Sequence, residues 1–355
     1  MIKLNIVIAD SDDLHMRRLV NYLTDENKQL NICSFTEKES FIKYLEESSQ
    51  RINILLFSED MYSEEVRNKK ADSKMKLTDG GVAVDSEYKS ISKYQKADDF
   101  IHEVLVAFSE ETGSTDAFNT ADSDNAKIIS VYSPVGGCGK TVIALAVSKI
   151  LSMMGRQVLY LNFEGVSSVG NVLHGMGMHN MSEVLLAAKD KHSKLGVKII
   201  QCKEVHPETG IHFINIQECA AEFSEMTPAE LKKIAVEAKE IGQYDYIVID
   251  MNSAYCDDVF SVLDVSYKIL VPYLLTKSSV YKMNVYADEL EKLERLEIIE
   301  DRMVLIENMS SVNSYHEFGR LQVQANIPAV AELADIDELL YNNLEFLVDT
   351  VLRII

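Results

Sequence analysis

The sequence lacks a signal peptide, an apolar run long enough to cross a bilayer, a C-x-x-C pair and an excess of basic residues. Each absence excludes something. Without a spanning run or a leader, the chain reads as cytoplasmic, with no stable membrane insertion. The five cysteines (Cys33, Cys138, Cys202, Cys219 and Cys256) are odd in number and unpaired in spacing, as in a reducing compartment. Cys202, His206, His212 and Cys219 match no zinc-module spacing, so they read as scattered strand and loop residues. With 35 basic against 56 acidic residues the net charge is −21 and the pI near 4.8. That balance argues against direct binding to nucleic acid or adhesion to anionic lipid. What is present is 47% hydrophobic residues, enough for packed cores, and 355 residues, enough for two domains.

A polar, acidic stretch without periodicity, residues 109–126, reads as a linker between an N-terminal domain of residues 1–108 and a C-terminal domain of residues 127–355. Both halves alternate strand-like and helix-like runs, so the predicted class is α/β. The second half is expected to be a doubly wound, mostly parallel sheet. In the first half, strands are expected over Lys3 to Ala9, around Asn31 to Cys33 and over Ile52 to Phe57. An acidic run, Asp10-Ser11-Asp12-Asp13, follows the first of them.

The most informative stretch is Ser133-Pro134-Val135-Gly136-Gly137-Cys138-Gly139-Lys140-Thr141, set between an apolar strand (Ile128 to Tyr132) and a helical run from Val142. Glycines let successive N–H groups point at phosphate oxygens, and a helix N-terminus adds partial positive charge. Lys140 can reach β- and γ-phosphates and the Thr141 hydroxyl can ligate Mg²⁺. The pattern implies a nucleoside triphosphate on Gly136, Gly137, Cys138, Gly139, Lys140, Thr141 and Val142. The alternative is a glycine turn in an ordinary βαβ unit. Tyr246-Ile247-Val248-Ile249-Asp250 has the form of a Walker B strand, whose terminal acid can hold a magnesium-bound water.

The core Val-Gly-Gly-Cys-Gly-Lys-Thr resembles the deviant Walker A loop of the MinD/ParA family. In that family a signature lysine precedes the two glycines and reaches the partner's nucleotide in an ATP-clamped dimer. Here Val135 stands in its place, and Pro134 stands where the usual pattern begins with glycine. The resemblance implies ATP and Mg²⁺ as ligands, with Thr141 and Asp250 on the metal. It implies a homodimer formed on ATP binding and, without the lysine, at most a slow ATPase. Asn162-Phe163-Glu164 stands where the family has Asp-x-Asp, so Glu164 takes the water-orienting place; a solvated acid at a strand end is the alternative. Asn308 is expected at the adenine edge, with turn capping as the alternative, and Asn326-Ile327-Pro328 resembles the segment before the last strand, which closes over the base.

The first half resembles a response-regulator receiver. Ser58 occupies the phosphoacceptor place, so phosphotransfer is not expected; a plain flavodoxin-like domain with surface acids is the alternative. An atypical receiver followed by a MinD/ParA-like domain resembles the TadZ/CpaE group, which localises tight-adherence (Flp-type) pilus assembly machinery, commonly at a cell pole. The implied partners are pilus secretion and assembly proteins. Two further readings stand beside it: an actively cycling ParA/MinD-type ATPase and a receiver-linked transcription regulator. Leu344 to Ile355 is amphipathic with Arg353 as its one basic residue. It reads as a core-packing helix rather than a membrane-targeting one.

Overall fold

The computed structural model describes residues 4–26, 30–80, 87–113, 126–173, 175, 177, 179–216, 220–310, 317–336 and 338–355. The chain divides into two compact units, Met1–Ala121 and Asp122–Ile355.

In the first unit β1 (Leu4–Ala9), α1 (Asp13–Glu26), β2 (Leu30–Phe35), α2 (Lys38–Glu47) and β3 (Ile52–Ser58) alternate. They are followed by α3 (Glu64–Asn68), β4 (Ala71–Thr78), β5 (Lys89–Ser92) and α4 (Ala97–Thr112). The five strands run parallel in the order β2-β1-β3-β4-β5, the flavodoxin-like arrangement. β1 and β3 are apolar almost throughout because both faces of a parallel sheet are covered. Two expectations shift. The polar stretch after Met61 contains a complete helix and strand, α3 and β4. The last helix, α4, runs into the expected linker as far as Thr112 and stops at Gly113, whose φ of 78° forms a left-handed cap. The rest of the expected linker, residues 114–125, lies outside the described residues, as does Cys219.

The second unit opens with β6 (Lys127–Val131), α5 (Lys140–Met153) and β7 (Val158–Phe163). Next come α6 (Met181–Lys189), α7 (Leu195–Cys202), β8 (Lys203–Val205), β9 (His212–Ile214), α8 (Ala220–Ser224) and α9 (Pro228–Glu240). Then follow β10 (Tyr246–Met251), α10 (Asp257–Leu263), β11 (Lys268–Leu274), α11 (Lys277–Lys292) and α12 (Leu296–Ile299). The unit ends with β12 (Met303–Ser310), β13 (Glu317–Phe318), β14 (Leu321–Pro328) and α13 (Val348–Ile354). Among the described residues the sheet has nine strands, ordered β13-β14-β12-β11-β6-β10-β7-β9-β8. All its pairings are parallel except the edge pairs β13/β14 and β8/β9.

Local chemistry sets the helices. α9 starts with Pro228 behind a Thr227–Glu230 capping box, which satisfies two of its free N–H groups. α5 buries nearly every residue from Ile143 to Leu151 and forms the core's centre with β6, β7 and β10. Leu344, Leu347, Val351 and Ile354 pack into that same core, as the amphipathic reading of the C-terminal stretch requires. Among the described residues no helix is long and apolar enough to cross a membrane. The sheet grows from β6 in both directions, so the loop leaving β6 sits where strand order reverses. In open α/β sheets that crevice is the ligand position.

Candidate nucleotide site

The loop between β6 and α5 is held by its own side chains. Ser133 Oγ accepts from the Val135 N–H at 3.1 Å, and the Cys138 thiol donates to the Val135 carbonyl at 3.0 Å. Asn308, at the carboxyl end of β12, donates from Nδ2 to the Cys138 carbonyl at 2.8 Å. Gly137 and Gly139 have φ of 69° and 89°, which β-carbon-bearing residues rarely adopt. Gly136 and Gly137 are exposed, and a β-carbon added to either would meet nothing within 4 Å. The crest of the loop is thus an open backbone cradle. Behind it Lys140, 9% exposed, donates from Nζ to Ser253 Oγ at 2.6 Å.

Asp250, the penultimate residue of β10, is completely buried. Its Oδ2 accepts from the Tyr160 hydroxyl at 3.0 Å and from Asn162 Nδ2 at 3.2 Å. Its Oδ1 has no hydrogen-bond partner. Burial pushes this carboxyl up to about 6; Thr141 and Tyr160 pull it back down, Glu164 adds to the rise, and Lys140 opposes it. A buried carboxylate that interacts with the Thr141 hydroxyl and keeps one oxygen without a hydrogen bond is a donor set a magnesium ion accepts while keeping most of its waters. Thr141 and Asp250 therefore fit the ion that the sequence implies.

The raised pKa has a consequence for stability. In the unfolded chain an aspartate ionises near pH 3.9. Between about pH 4 and 6 the native state holds a proton that the unfolded state has lost, so stability falls as pH rises through that window. Above it the ionised, buried carboxylate costs roughly 2–3 kcal/mol, because each tenfold change in the proton-binding constant is worth about 1.4 kcal/mol. Asp250→Asn is accordingly expected to raise the melting temperature of the ligand-free protein at pH 7.5 and to change it little at pH 4. Melts at the two pH values check this, and an equal change at both would refute it.

Glu164 follows β7 directly and is half-buried, its N–H donating to Asn162 Oδ1 at 2.8 Å. Its negative charge helps raise Asp250, so the structure does bring it to the same end of the sheet. Val142 and Asn308 flank a cleft of about 170 Å³ together with Met309, Pro328, Val330 and Leu333. Its lining is mainly apolar.

The Nδ2 of Asn308, expected at the adenine edge, donates to the loop backbone and braces it, while the residue also lines the cleft. One expectation is revised. Asn326 to Pro328 lie within the last strand and not before it, although Pro328 does line the cleft. Val135, in the place of the signature lysine, is 5% exposed.

Sequence reasoning missed Ser253 and the hydroxyl of Tyr160. Ser253 lies three residues beyond Asp250 in irregular backbone and carries no motif. Tyr160 was findable. It stands two residues before Asn162 on a strand, and period-two alternation puts both on one face.

In the first unit Asp10 is 1% exposed, and Lys93 Nζ lies 3.0 Å from Asp10 Oδ2 and 2.9 Å from Asp79 Oδ1. Burial lowers the Lys93 pKa, but its two carboxylate partners outweigh this and raise it. Ser58, the last residue of β3, donates to Asp60 Oδ1 at 2.6 Å.

Residues 126–316, more than half of the chain, match the family described as the AAA domain. The chain belongs to this family. Its fold is similar to that of a ParA family ATPase from Chlorobium tepidum, with 15% identity, a TM-score of 0.50, and coverage of 63% of this chain and 96% of that one. A plasmid partition protein from Borrelia burgdorferi gives 21% identity and a TM-score of 0.47, over 65% of this chain and 100% of that one. The septum site-determining protein MinD from Pyrococcus horikoshii, complexed with Mg-ADP, gives 18% identity and a TM-score of 0.45, over 58% and 82%. No curated protein sequence matches the chain. The second unit thus shares the α/β fold of the Chlorobium tepidum ATPase.

Proposed function

We propose that this AAA-domain chain binds ATP with Mg²⁺, dimerises on it, hydrolyses it slowly, and acts as a localisation factor for tight-adherence pilus assembly machinery. The observation that carries the nucleotide half of this reading is the buried Asp250, which interacts with Thr141 and keeps its Oδ1 without a hydrogen bond, together with a glycine crest that has open space above it. In use, the loop N–H groups and the start of α5 hold the phosphates. Lys140 leaves Ser253 for the β- and γ-phosphate oxygens, and Val142 and Pro328 close on the base. Thr141 and Asp250 would hold magnesium, which would supply neutralisation of phosphate charge. Glu164 is placed to orient water.

The localisation half rests on Val135. A lysine there would add charge at the phosphates during transfer, where a positioned group contributes several kcal/mol. A buried valine adds none. The order of the two units and Ser58 at the end of β3 support the TadZ/CpaE resemblance. A cycling ATPase is the second reading, favoured by Glu164 at the water-orienting place. Light scattering with ATP and Mg²⁺ is expected to show a dimer, with turnover well below about 1 per second. Brisk turnover abolished by Glu164→Ala would replace the localisation reading with the cycling one.

The first unit is read as an atypical receiver that makes contacts and does not accept phosphate. Ser58 offers a hydroxyl where an acyl phosphate needs a carboxylate, and Lys93 is already paired with Asp10 and Asp79. Acetyl phosphate with Mg²⁺ is expected to leave the intact mass unchanged. A stoichiometric acyl-phosphate adduct on Asp60 would overturn this.

A further inference from the structure

Away from the nucleotide loop, three side chains of different donor type converge where α6 begins and α7 ends. One nitrogen of His179, one carboxylate oxygen of Glu183 and the sulfur of Cys202 all lie within 4.8 Å of one another. His179 and Glu183 are one helical turn apart, with Asn180 between them capping α6 through the Ser182 N–H. Cys202 is the last residue of α7 and is 1% exposed. Two short helices packed side by side bring these ends together, so the cluster comes from the fold and not from one local sequence motif. That explains why spacing alone did not reveal it.

We propose that His179, Glu183 and Cys202 form a zinc-type site that ties the start of α6 to the end of α7. Imidazole, carboxylate and thiolate are the protein ligands zinc takes, and three of them leave a fourth, tetrahedral position for water on the exposed side of His179. Bonds of about 2.0–2.3 Å to a tetrahedral ion place donors roughly 3–4 Å apart, so the cluster needs to close by no more than about 1–2 Å. His179 Nδ1 and Glu183 Oε1 are already 2.9 Å apart. The other carboxylate oxygen, Oε2, lies 3.2 Å from Lys198 Nζ. That contact can persist while Oε1 turns to the ion, and it is the kind of outer contact that orients metal ligands. Charge also balances, because a thiolate and a carboxylate together cancel a dication.

Without metal the thiol is protonated: burial pushes Cys202 up to about 12, and Glu183 adds to the rise. Loading the site therefore breaks the S–H bond, forms a metal–sulfur bond and passes one proton to the buffer. Zinc titration of the full-length protein by calorimetry in buffers of different ionisation enthalpy should show about one proton released per ion bound. Cobalt as the probe should give a thiolate-to-metal charge-transfer band, absent in Cys202→Ser although Cys33, Cys138 and Cys256 remain. His179→Ala, at a half-exposed position that does not endanger folding, should weaken zinc by more than tenfold. Lys198→Met should weaken it about tenfold, in the range for an outer-shell partner. No charge-transfer band in the wild type, a band that survives Cys202→Ser, or unchanged zinc affinity in His179→Ala would each overturn the site.

Discussion

Lys140→Ala is expected to weaken ATP binding by about 100-fold or more, with the fold intact. The ammonium is already aimed at the mouth of the loop, 9% exposed and held on one neutral hydroxyl, Ser253 Oγ. Moving from that hydroxyl to phosphate exchanges a neutral acceptor for charged ones, each such bond contributing about 1.5–3 kcal/mol. Losing two of them costs at least about 3 kcal/mol, and 1.4 kcal/mol is tenfold in affinity. The stability change should be small, because alanine removes a single hydrogen bond at the rim. One side effect is expected: Lys140 helps keep Asp250 ionised, so its loss should lift the Asp250 pKa above about 6. Calorimetry with ATP and Mg²⁺ reads the affinity, and Ser253→Ala separates the two roles of the lysine. If Lys140 is merely structural, both variants lower the melting temperature alike and neither changes affinity. Near-native affinity in Lys140→Ala would place the nucleotide elsewhere on the chain.

The α/β class and the loop were legible because both are written locally. Buried parallel strands such as Ile128 to Val131 and Ile247 to Asp250 are nearly unbroken apolar runs, and the glycine loop falls between one of them and a helix. Asp250 was legible for the same reason, as an acid ending such a run. What depended on the other side of a residue was not legible. The burial of Val135 is one case: its N–H and carbonyl are held by the Ser133 hydroxyl and the Cys138 thiol, contacts no motif spells out. The partner of Asn308 could not be read either, because its contact with Cys138 spans 170 residues. The Tyr160–Asn162–Asp250 network joins two strands whose pairing register is settled only by the folded sheet. In the first unit, the strand β4 was hidden by alternating polar residues, since Ala71 to Thr78 buries only every second side chain over most of its length.

Two glycine substitutions in the same loop are expected to fail in opposite ways. Gly139→Ala should destabilise the second unit, whereas Gly136→Ala should leave stability nearly unchanged and still impair ATP binding. At Gly139 the backbone has φ of 89°, and a β-carbon would stand 2.4 Å from Asn308 Nδ2. The left-handed conformation costs a non-glycine residue about 1–2 kcal/mol. Asn308 is 4% exposed and can yield only by giving up its bond to the Cys138 carbonyl, at roughly 1 kcal/mol more. The total of about 2–3 kcal/mol corresponds to a fall in melting temperature of roughly 5–10 °C for a unit of this size. Gly136 has ordinary backbone angles and nothing within 4 Å of an added β-carbon, so the ligand-free protein should tolerate alanine there. That space is where phosphate oxygens would lie against the loop amides, so the added methyl should act on binding alone. Pairing Gly139→Ala with Asn308→Ala separates the two costs at position 139. Measured against Asn308→Ala alone, the added Gly139→Ala should cost only the part due to φ, and no added cost would show that the backbone there is not strained. A Gly136→Ala protein that binds ATP normally would mean that the glycine crest does not hold the phosphates.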